Sequence, residues 1–303
     1  MRGVFIDANK SLADIFERQR RPGDPEVKVN LNPDITAEDV PAALGGAGII
    51  IIDHTPLPTA IAKQCAGLKH VVFLGTGARS YMNPEELSEI GIAVHLIKGY
   101  GDTAVAECAI ALMWAAARGL AAMDRGMRAG NWLRDDAMQL TGKTLGLIGF
   151  GGIAAETARI ALGSGLRVIA WNRTPKKFTG VEFVSLEKLL AQSDVVSLHL
   201  LLNDETRGLI TAKHIAAMKP GVILVNTARG AIVDEAAMID ALKSGHIRHA
   251  GLDVFNIEPL PADHPLTKLP NVTLSAHSAF RTPEASENLI HAAWEHCRRV
   301  VKG

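Results

Sequence analysis

Cysteine is scarce in this chain: Cys65, Cys108 and Cys297 are the only three in 303 residues. Odd in number and far apart, they fit neither a disulfide framework nor a zinc site. The expectations are a reducing, cytoplasmic setting and no structural or catalytic metal. Aromatic residues are also few, 5% of the chain against 48% apolar residues in all, so the cores must be Ala, Val, Ile and Leu packed on sheets. A charge of one sign is missing. Lys plus Arg and Asp plus Glu both number 32, which leaves no uniform field to hold nucleic acid or an anionic membrane surface. Charge recognition must therefore be local. Long uncharged apolar runs are lacking too: the most apolar stretch, residues 104–123, contains Glu107 and Arg118 and is rich in Ala. That composition argues against a membrane span and for a buried or interface helix. The opening Met1-Arg2-Gly3-Val4-Phe5-Ile6-Asp7 reads as a short strand and lacks the features of a secretion signal.

What is present is a repeated alternation of strands and helices. β-branched runs at residues 4–7, 27–31, 48–53, 71–75 and 92–97 read as strands, with helices between them. Asn83-Pro84-Glu85-Glu86 shows how such a helix starts, with a capping Asn, Pro at the first helical position and an acid in the first turn. The second half repeats the pattern at residues 144–150, 167–172, 195–200, 222–227, 251–255 and 272–276. A chain of this length has room for two domains, and successive βα units imply parallel sheets covered on both faces. The fold class expected is α/β, with two doubly wound domains: a flavodoxin-like domain over residues 1–98 plus 278–303, and a Rossmann dinucleotide-binding domain over residues 99–277. Thr282-Pro283-Glu284 opens a last helix expected to run through Arg299 and to return to the first domain. Two crossings, near residues 99–102 and 277–280, would make a hinge beside a cleft.

Gly149-Phe150-Gly151-Gly152-Ile153-Ala154 follows an apolar strand and opens a helix, the context that gives a glycine-rich turn its meaning. The first glycine permits the tight turn, the second lets backbone approach a pyrophosphate, and the small Ala154 allows close packing of helix on strand. Free N–H groups at the helix start then face the phosphates. The next strand ends in Asn172-Arg173-Thr174, with Lys176 and Lys177 beyond it. A carboxylate here would bind the ribose hydroxyls and repel a 2′-phosphate, whereas these residues favour one, so NADP(H) is expected as the preferred cofactor and NAD(H) as the lesser one.

Three further residues carry chemistry. Arg229 follows a strand in Asn226-Thr227-Ala228-Arg229-Gly230, at the end of the sheet where ligands bind, and its planar fork suits a carboxylate. Glu258 stands in Leu252-Asp253-Val254-Phe255-Asn256-Ile257-Glu258-Pro259, and His277 in Ser275-Ala276-His277-Ser278. Taken singly, each also fits a plain role: a surface salt-bridge arginine, a solvent-facing glutamate, a packing histidine. Together and in this order they resemble the D-isomer-specific 2-hydroxyacid dehydrogenase family. Further matches are Gly99-Tyr100-Gly101-Asp102-Thr103-Ala104-Val105-Ala106-Glu107, Gly142-Lys143-Thr144-Leu145-Gly146 and Asp194-Val195-Val196-Ser197-Leu198-His199. Asn203-Asp204-Glu205-Thr206-Arg207-Gly208-Leu209-Ile210, Met218-Lys219-Pro220-Gly221 and His264-Pro265-Leu266 continue the series along almost the whole chain.

The resemblance implies an NAD(P)-dependent oxidoreductase that reduces a small 2-keto acid to the D-2-hydroxy acid. In it His277 would be the general acid, Glu258 its supporting carboxylate, and Arg229 the group that binds the substrate carboxylate and polarises the carbonyl. Backbone amides around Gly75, Thr76 and Gly77 would complete the carboxylate site, and His54 would line the substrate side. Asp253, Thr227 and Ala228 would hold the nicotinamide end. Thr103, Gly149, Gly151, Gly152, Ile153, Asn172, Arg173, Thr174, His199, Leu200 and Thr206 would complete the cofactor contacts, beside Arg229 and His277. Gly152 stands where the family usually has arginine, Ala154 where it has a third glycine, Leu201 where a proline is expected, and Arg79 where an aspartate is common. Neither Asp53-His54-Thr55 nor Gly75-Thr76-Gly77 holds paired basic residues, and the chain ends at Gly303 without a further domain. Glyoxylate or hydroxypyruvate is therefore expected as substrate, ahead of 3-phosphoglycerate, which Arg79 keeps as an alternative. A corepressor-like nucleotide-sensing protein is the alternative from another class. Residues 104–123, with Met127 and Trp132, are expected to form a homodimer interface.

Overall fold

The computed structural model describes residues 1–134, 136–174 and 176–302. Gly303, the last residue of the expected 278–303 segment, lies outside the described residues. The chain divides into two compact units, Met1–Gly101 with Arg281–Gly303, and Asp102–Phe280, and each is described by itself.

The first unit is built on five parallel strands, β1 (Gly3–Phe5), β2 (Val27–Val29), β3 (Ile49–Ile52), β4 (His70–Phe73) and β5 (Ala93–Leu96), in the order β2-β1-β3-β4-β5. This is the flavodoxin-like order. Strand β3 is four consecutive isoleucines, all buried, as a central strand covered on both faces requires. One cover is the final helix, Pro283–Lys302, which extends to Lys302 beyond the expected Arg299. Its Leu289, Ile290, Ala293, Trp294 and Cys297 recur at helical spacing and pack with Phe5, Phe16, Ile49 and Ile51. Trp294 stacks on Phe16 at 4.1 Å between ring centroids and donates Nε1–H to the Phe16 carbonyl at 3.0 Å. Truncating such a buried ring costs about 3–5 kcal/mol.

The second unit holds seven parallel strands: β6 (Thr144–Ile148), β7 (Arg167–Trp171), β8 (Val181–Phe183), β9 (Val195–Leu198), β10 (Val222–Asn226), β11 (Ile247–Leu252) and β12 (Val272–Leu274). Their order is β12-β11-β10-β9-β6-β7-β8, the doubly wound arrangement whose direction of winding reverses between β9 and β6. Two details correct the sequence reading. Strand β8 was missed, because three half-exposed edge residues carry no usable periodicity. Strand β11 starts at Ile247 rather than at residue 251, since Arg248 and His249 disguise an otherwise apolar run. His249 is buried and its Nε2 meets Thr273 Oγ1 at 3.0 Å. Desolvation by burial, helped by Arg125 and Arg248, pushes its imidazole down to about 4.

The apolar stretch expected as one helix is two, Asp102–Arg118 and Leu120–Arg128, bent by 64° at the break. The cause is Gly119, whose φ of +64° is left-handed. No single helix among the described residues is long and apolar enough to cross a membrane. The Asp102–Arg118 helix lies directly on the sheet: a Cβ at Gly251 would come within 2.9 Å of the Leu112 Cβ. Most expected strands overran the observed ends by one or two residues. The excess residues, including Asp7, Asp53, Asn172 and Thr227, are where the strands pass into the functional loops.

Candidate active site

The parallel sheet of the second unit lines up its candidate residues by strand order. His277 follows β12, Asp253 and Glu258 follow β11, Thr227 and Arg229 follow β10, His199 follows β9, Gly149 follows β6 and Asn172 follows β7. All stand at carboxyl ends of adjacent strands about 4.8 Å apart, around the point where winding reverses.

His277 and Glu258 meet directly, Nδ1 to Oε2 at 2.6 Å. The other carboxylate oxygen, Oε1, accepts the Phe255 amide at 2.8 Å, so Glu258 is braced by its own loop. Among the described residues nothing hydrogen-bonds His277 Nε2, and the ring is about one-third exposed. Phe280 covers one side, edge to face at 6.3 Å between centroids. His277 is the one described non-glycine residue with a positive φ, +49°, a costly conformation that surrounding structure must impose. What imposes it is Asp253, fully buried. Its backbone carbonyl accepts His277 N–H at 2.7 Å, Oδ1 accepts Ser275 Oγ–H at 2.5 Å and Ser278 N–H at 3.0 Å, and Oδ2 accepts Ala279 N–H at 3.0 Å. Asp253 thus holds the His277 loop, a role sequence reasoning missed.

Arg229 is shaped from the other side. Asn226, buried, accepts Ala228 N–H and donates to the Arg229 carbonyl, both at 3.0 Å. A Cβ at the next residue, Gly230, would overlap the Phe255 backbone and lie 2.5 Å from Asn256 N. The Arg229 loop therefore packs on the same segment that Glu258 braces. The guanidinium, half-buried, hydrogen-bonds among the described residues only to the Ala228 carbonyl, at 2.6 Å. No carboxylate among the described residues pairs with it, so its fork is available to an anion.

At the glycine-rich turn, Gly149 has φ +89°, and a Cβ there would meet the His199 carbonyl oxygen at 2.6 Å. Gly151 precedes the helix Gly152–Gly163 without a side-chain cap, and a Cβ at Gly151 would face open space. Asn172 braces this turn, accepting Phe150 N–H at 3.0 Å and donating to the Thr174 carbonyl at 2.7 Å. Lys176 Nζ donates to the Phe150 carbonyl at 2.5 Å. Arg173, largely exposed, is ion-paired with Glu205. These features fit a dinucleotide: bare N–H groups at a helix start, and the Thr227 hydroxyl, buried with no partner of its own. Ala228 is buried beside it, Leu200 packs on the core, and Thr103 and Ile153 open their helices. His199 meets Ser197 Oγ at 2.9 Å, and desolvation lowers it to about 4. The Thr206 hydroxyl is tied within its own loop, donating to the Leu201 carbonyl at 2.6 Å and accepting Asn203 N–H at 2.9 Å.

In the first unit, the Gly75 amide is already taken, donating to the Phe73 carbonyl at 2.8 Å. Thr76 and Gly77 show no such backbone acceptor among the described residues. His54 has both ring nitrogens engaged: Nδ1 lies 3.3 Å from Asp53 Oδ2, and Nε2 lies 2.7 Å from the Pro33 carbonyl. Hydrogen bonding to Asp53, opposed by desolvation and reinforced by Asp7, raises it to about 9. Arg79 pairs with Glu85.

Comparison with known proteins supplies the identity. Residues 110–279 match the NAD-binding domain of the D-isomer-specific 2-hydroxyacid dehydrogenases. A hydroxypyruvate reductase of Blautia hydrogenotrophica is 32% identical over 88% of this chain and 86% of its own length. A D-3-phosphoglycerate dehydrogenase of Archaeoglobus fulgidus is 36% identical over 92% of this chain but only 53% of its own length. The crystal structure of a glyoxylate reductase from Paecilomyes thermophila superposes with a TM-score of 0.88 at 30% identity, covering 100% of this chain and 95% of that one. On its sheet order, its turn and these matches, the chain belongs to the D-isomer-specific 2-hydroxyacid dehydrogenase family of NAD(P)-dependent oxidoreductases.

Proposed function

We propose that this enzyme reduces a small 2-keto acid, glyoxylate or hydroxypyruvate, to its D-2-hydroxy acid, and prefers NADPH to NADH. The observation that carries the reading is the His277 ring, fixed through Nδ1 by Glu258 with Nε2 left unpartnered, two loops from an unpaired guanidinium. When bound, the reduced dinucleotide supplies the hydride. His277 Nε2–H gives its proton to the carbonyl oxygen, Glu258 Oε2 stabilises the ring through that transfer, and Arg229 binds the carboxylate and orients the carbonyl. Thr227 Oγ1, buried without a partner, would hold the nicotinamide end, with Ala228 lining that pocket. Within the first unit, the amides of Thr76 and Gly77 remain proposed substrate contacts, whereas the Gly75 amide and both ring nitrogens of His54, expected on the substrate side, are already engaged.

NADPH preference rests on Arg173, an exposed cation that a 2′-phosphate would draw from Glu205, with Asn172 in place of a ribose-binding acid. Replacing Arg173 by Ser is expected to lower kcat/KM for NADPH about tenfold with little change for NADH; a higher kcat/KM for NADH in the unaltered enzyme overturns the preference. The test of the reaction is to mix enzyme and NADPH with glyoxylate or hydroxypyruvate and follow nicotinamide absorbance. The 3-phosphoglycerate reading has support in the Archaeoglobus relative, but Arg79, the residue that kept it open, is paired with Glu85. Faster turnover of 3-phosphoglycerate than of both small acids reverses the assignment. Tight cofactor binding with no turnover of any acid favours a nucleotide-sensing protein.

The assembly proposed is a homodimer. Leu120, Met127, Trp132 and Leu133 are all exposed, Trp132 at 75%, an apolar surface of the kind a second copy covers. Sedimentation at working concentration as a monomer removes this reading. A cytoplasmic location is proposed from three free thiols, two of them buried.

A further inference from the structure

Gly152 begins the helix at the glycine-rich turn, and the space its missing side chain leaves is taken. A Cβ there would fall on the Asp102 carboxylate, with Oδ2 as the atom struck. Asp102 comes from the first residue of the Asp102–Arg118 helix, which packs against the Gly152–Gly163 helix. It is half-buried, and no described side chain or amide hydrogen-bonds or ion-pairs its carboxylate. An acid therefore stands at the helix start where the turn presents its N–H groups to a pyrophosphate.

Two like charges in this position conflict. A carboxylate favours a helix N-terminus when nothing else is bound there. Once a pyrophosphate takes the N–H groups of that helix start, the carboxylate faces a second anion at short range, in a partly desolvated place where repulsion is strong. The relief is to become neutral. Around Asp102 the setting already leans that way: burial, then the like charge of Glu156 one turn along the Gly152–Gly163 helix, raise its carboxyl above the ordinary range. Lys176 reaches the turn, but its Nζ is spent on the Phe150 carbonyl.

We propose that Asp102 is a proton-linked gate on the cofactor site: its carboxylate yields to the dinucleotide pyrophosphate by taking up a proton as the cofactor binds. The proposal rests on reading the turn as the dinucleotide site, and it deepens that reading. The charge of Asp102 makes binding weaken as pH rises. Below its free-state pKa the acid is already neutral and binding is pH-independent. Between the free and bound values each pH unit weakens binding, by up to about tenfold.

The experiment is calorimetric titration of the whole enzyme with NADH, whose pyrophosphate keeps its charge through the neutral range, in buffers of differing ionisation heat. Unaltered enzyme is expected to take up a fraction of a proton on binding and to show a Kd that climbs with pH. Asp102→Asn is expected to bind with less uptake and a flatter pH curve, and at the upper end of the range to bind at least about fivefold more tightly. Gly152→Ala gives a second route to the same result, because its methyl group pushes the carboxylate aside without removing the acid; it too should flatten the curve. Identical uptake and pH curves in the unaltered enzyme and Asp102→Asn overturn the proposal while leaving the dinucleotide site intact. Failure of all three proteins to bind NADH or NADPH at any pH overturns the site itself and the proposal with it.

Discussion

Each unit contains a fully buried aspartate just past the end of a strand, and each aspartate ties down the loop leaving the neighbouring strand. In the first unit Asp7, beyond β1, accepts the amides of Asp53, His54 and Thr55 and the Thr55 hydroxyl, at 2.8 to 2.9 Å. In the second, Asp253, beyond β11, holds the loop after β12 in the same manner. Each loop carries a histidine whose Nδ1 meets a carboxylate. The difference lies in the remaining nitrogen. His54 Nε2 is spent on the Pro33 carbonyl, whereas His277 Nε2 has no partner among the described residues. Two acceptors demand both N–H groups, so His54 is a fixed cation that joins three loops. One acceptor fixes a ring and leaves the other nitrogen to a substrate. The comparison teaches that a histidine–carboxylate pair marks a proton donor only where one ring nitrogen stays unused.

The most severe test replaces the donors. His277→Asn is expected to lower kcat for glyoxylate by about 10²- to 10⁴-fold while the Kd for NADPH moves little, measured by steady-state kinetics beside direct binding. The same substitution at His54 removes a cation and its hydrogen bonds to Asp53 and to the Pro33 carbonyl, but no proton donor. Should His54→Asn reduce kcat as far as His277→Asn, the distinction between a spent and an unspent nitrogen is broken.

A smaller effect separates the anchors. Asn at either aspartate turns an NH2 toward a backbone N–H that was satisfied, and losing a buried bond to a charged acceptor costs about 1.5–3 kcal/mol. Both Asp7→Asn and Asp253→Asn are expected to lose about that much in urea unfolding. Only Asp253→Asn is expected to lower kcat disproportionately, since Asp253 imposes the left-handed His277 backbone. Equal kinetic losses at the two positions would leave Asp253 as a stabilising residue and nothing more.

The parts of this design that were legible in the sequence are those written in contiguous motifs. The Gly149 turn, the Asn83 cap and the Arg229, Glu258 and His277 series each depend on neighbours within a few residues, and the alternation of strands and helices followed from hydrophobic period alone. The illegible parts depend on partners far along the chain. Asp7 serves amides 46 to 48 residues away, and Asp102 sits against a glycine in a different helix. The sequence shows Asp102 inside a matched motif and Gly152 as a missing arginine, but no period or spacing connects them. The edge strand β8 and the polar start of β11 were lost for a local reason, since their stability comes from the neighbouring strand rather than from their own residues.

The smallest predicted effect sharpens the comparison through pH. His54 is raised from 6.5 to about 9, chiefly by its bond to Asp53. A folded-state value above the unfolded one means that the folded protein binds the proton more tightly. The resulting stability is complete below about pH 6.5 and is lost as pH rises through about 9. The ring is 45% exposed, so solvent screening reduces its worth to about 1 kcal/mol. His199 and His249, both lowered to about 4 by burial, act in the opposite direction. They leave stability intact above about pH 6.5 and remove it as pH falls toward 4, because the unfolded chain then binds protons that the folded one refuses. Urea unfolding followed from pH 6 to 10 is therefore expected to show an alkaline loss that disappears in His54→Gln. An alkaline loss of the same size in both proteins would mean that His54 is not held as a cation, and the first unit's ring would then have a nitrogen to spare, like its counterpart in the second.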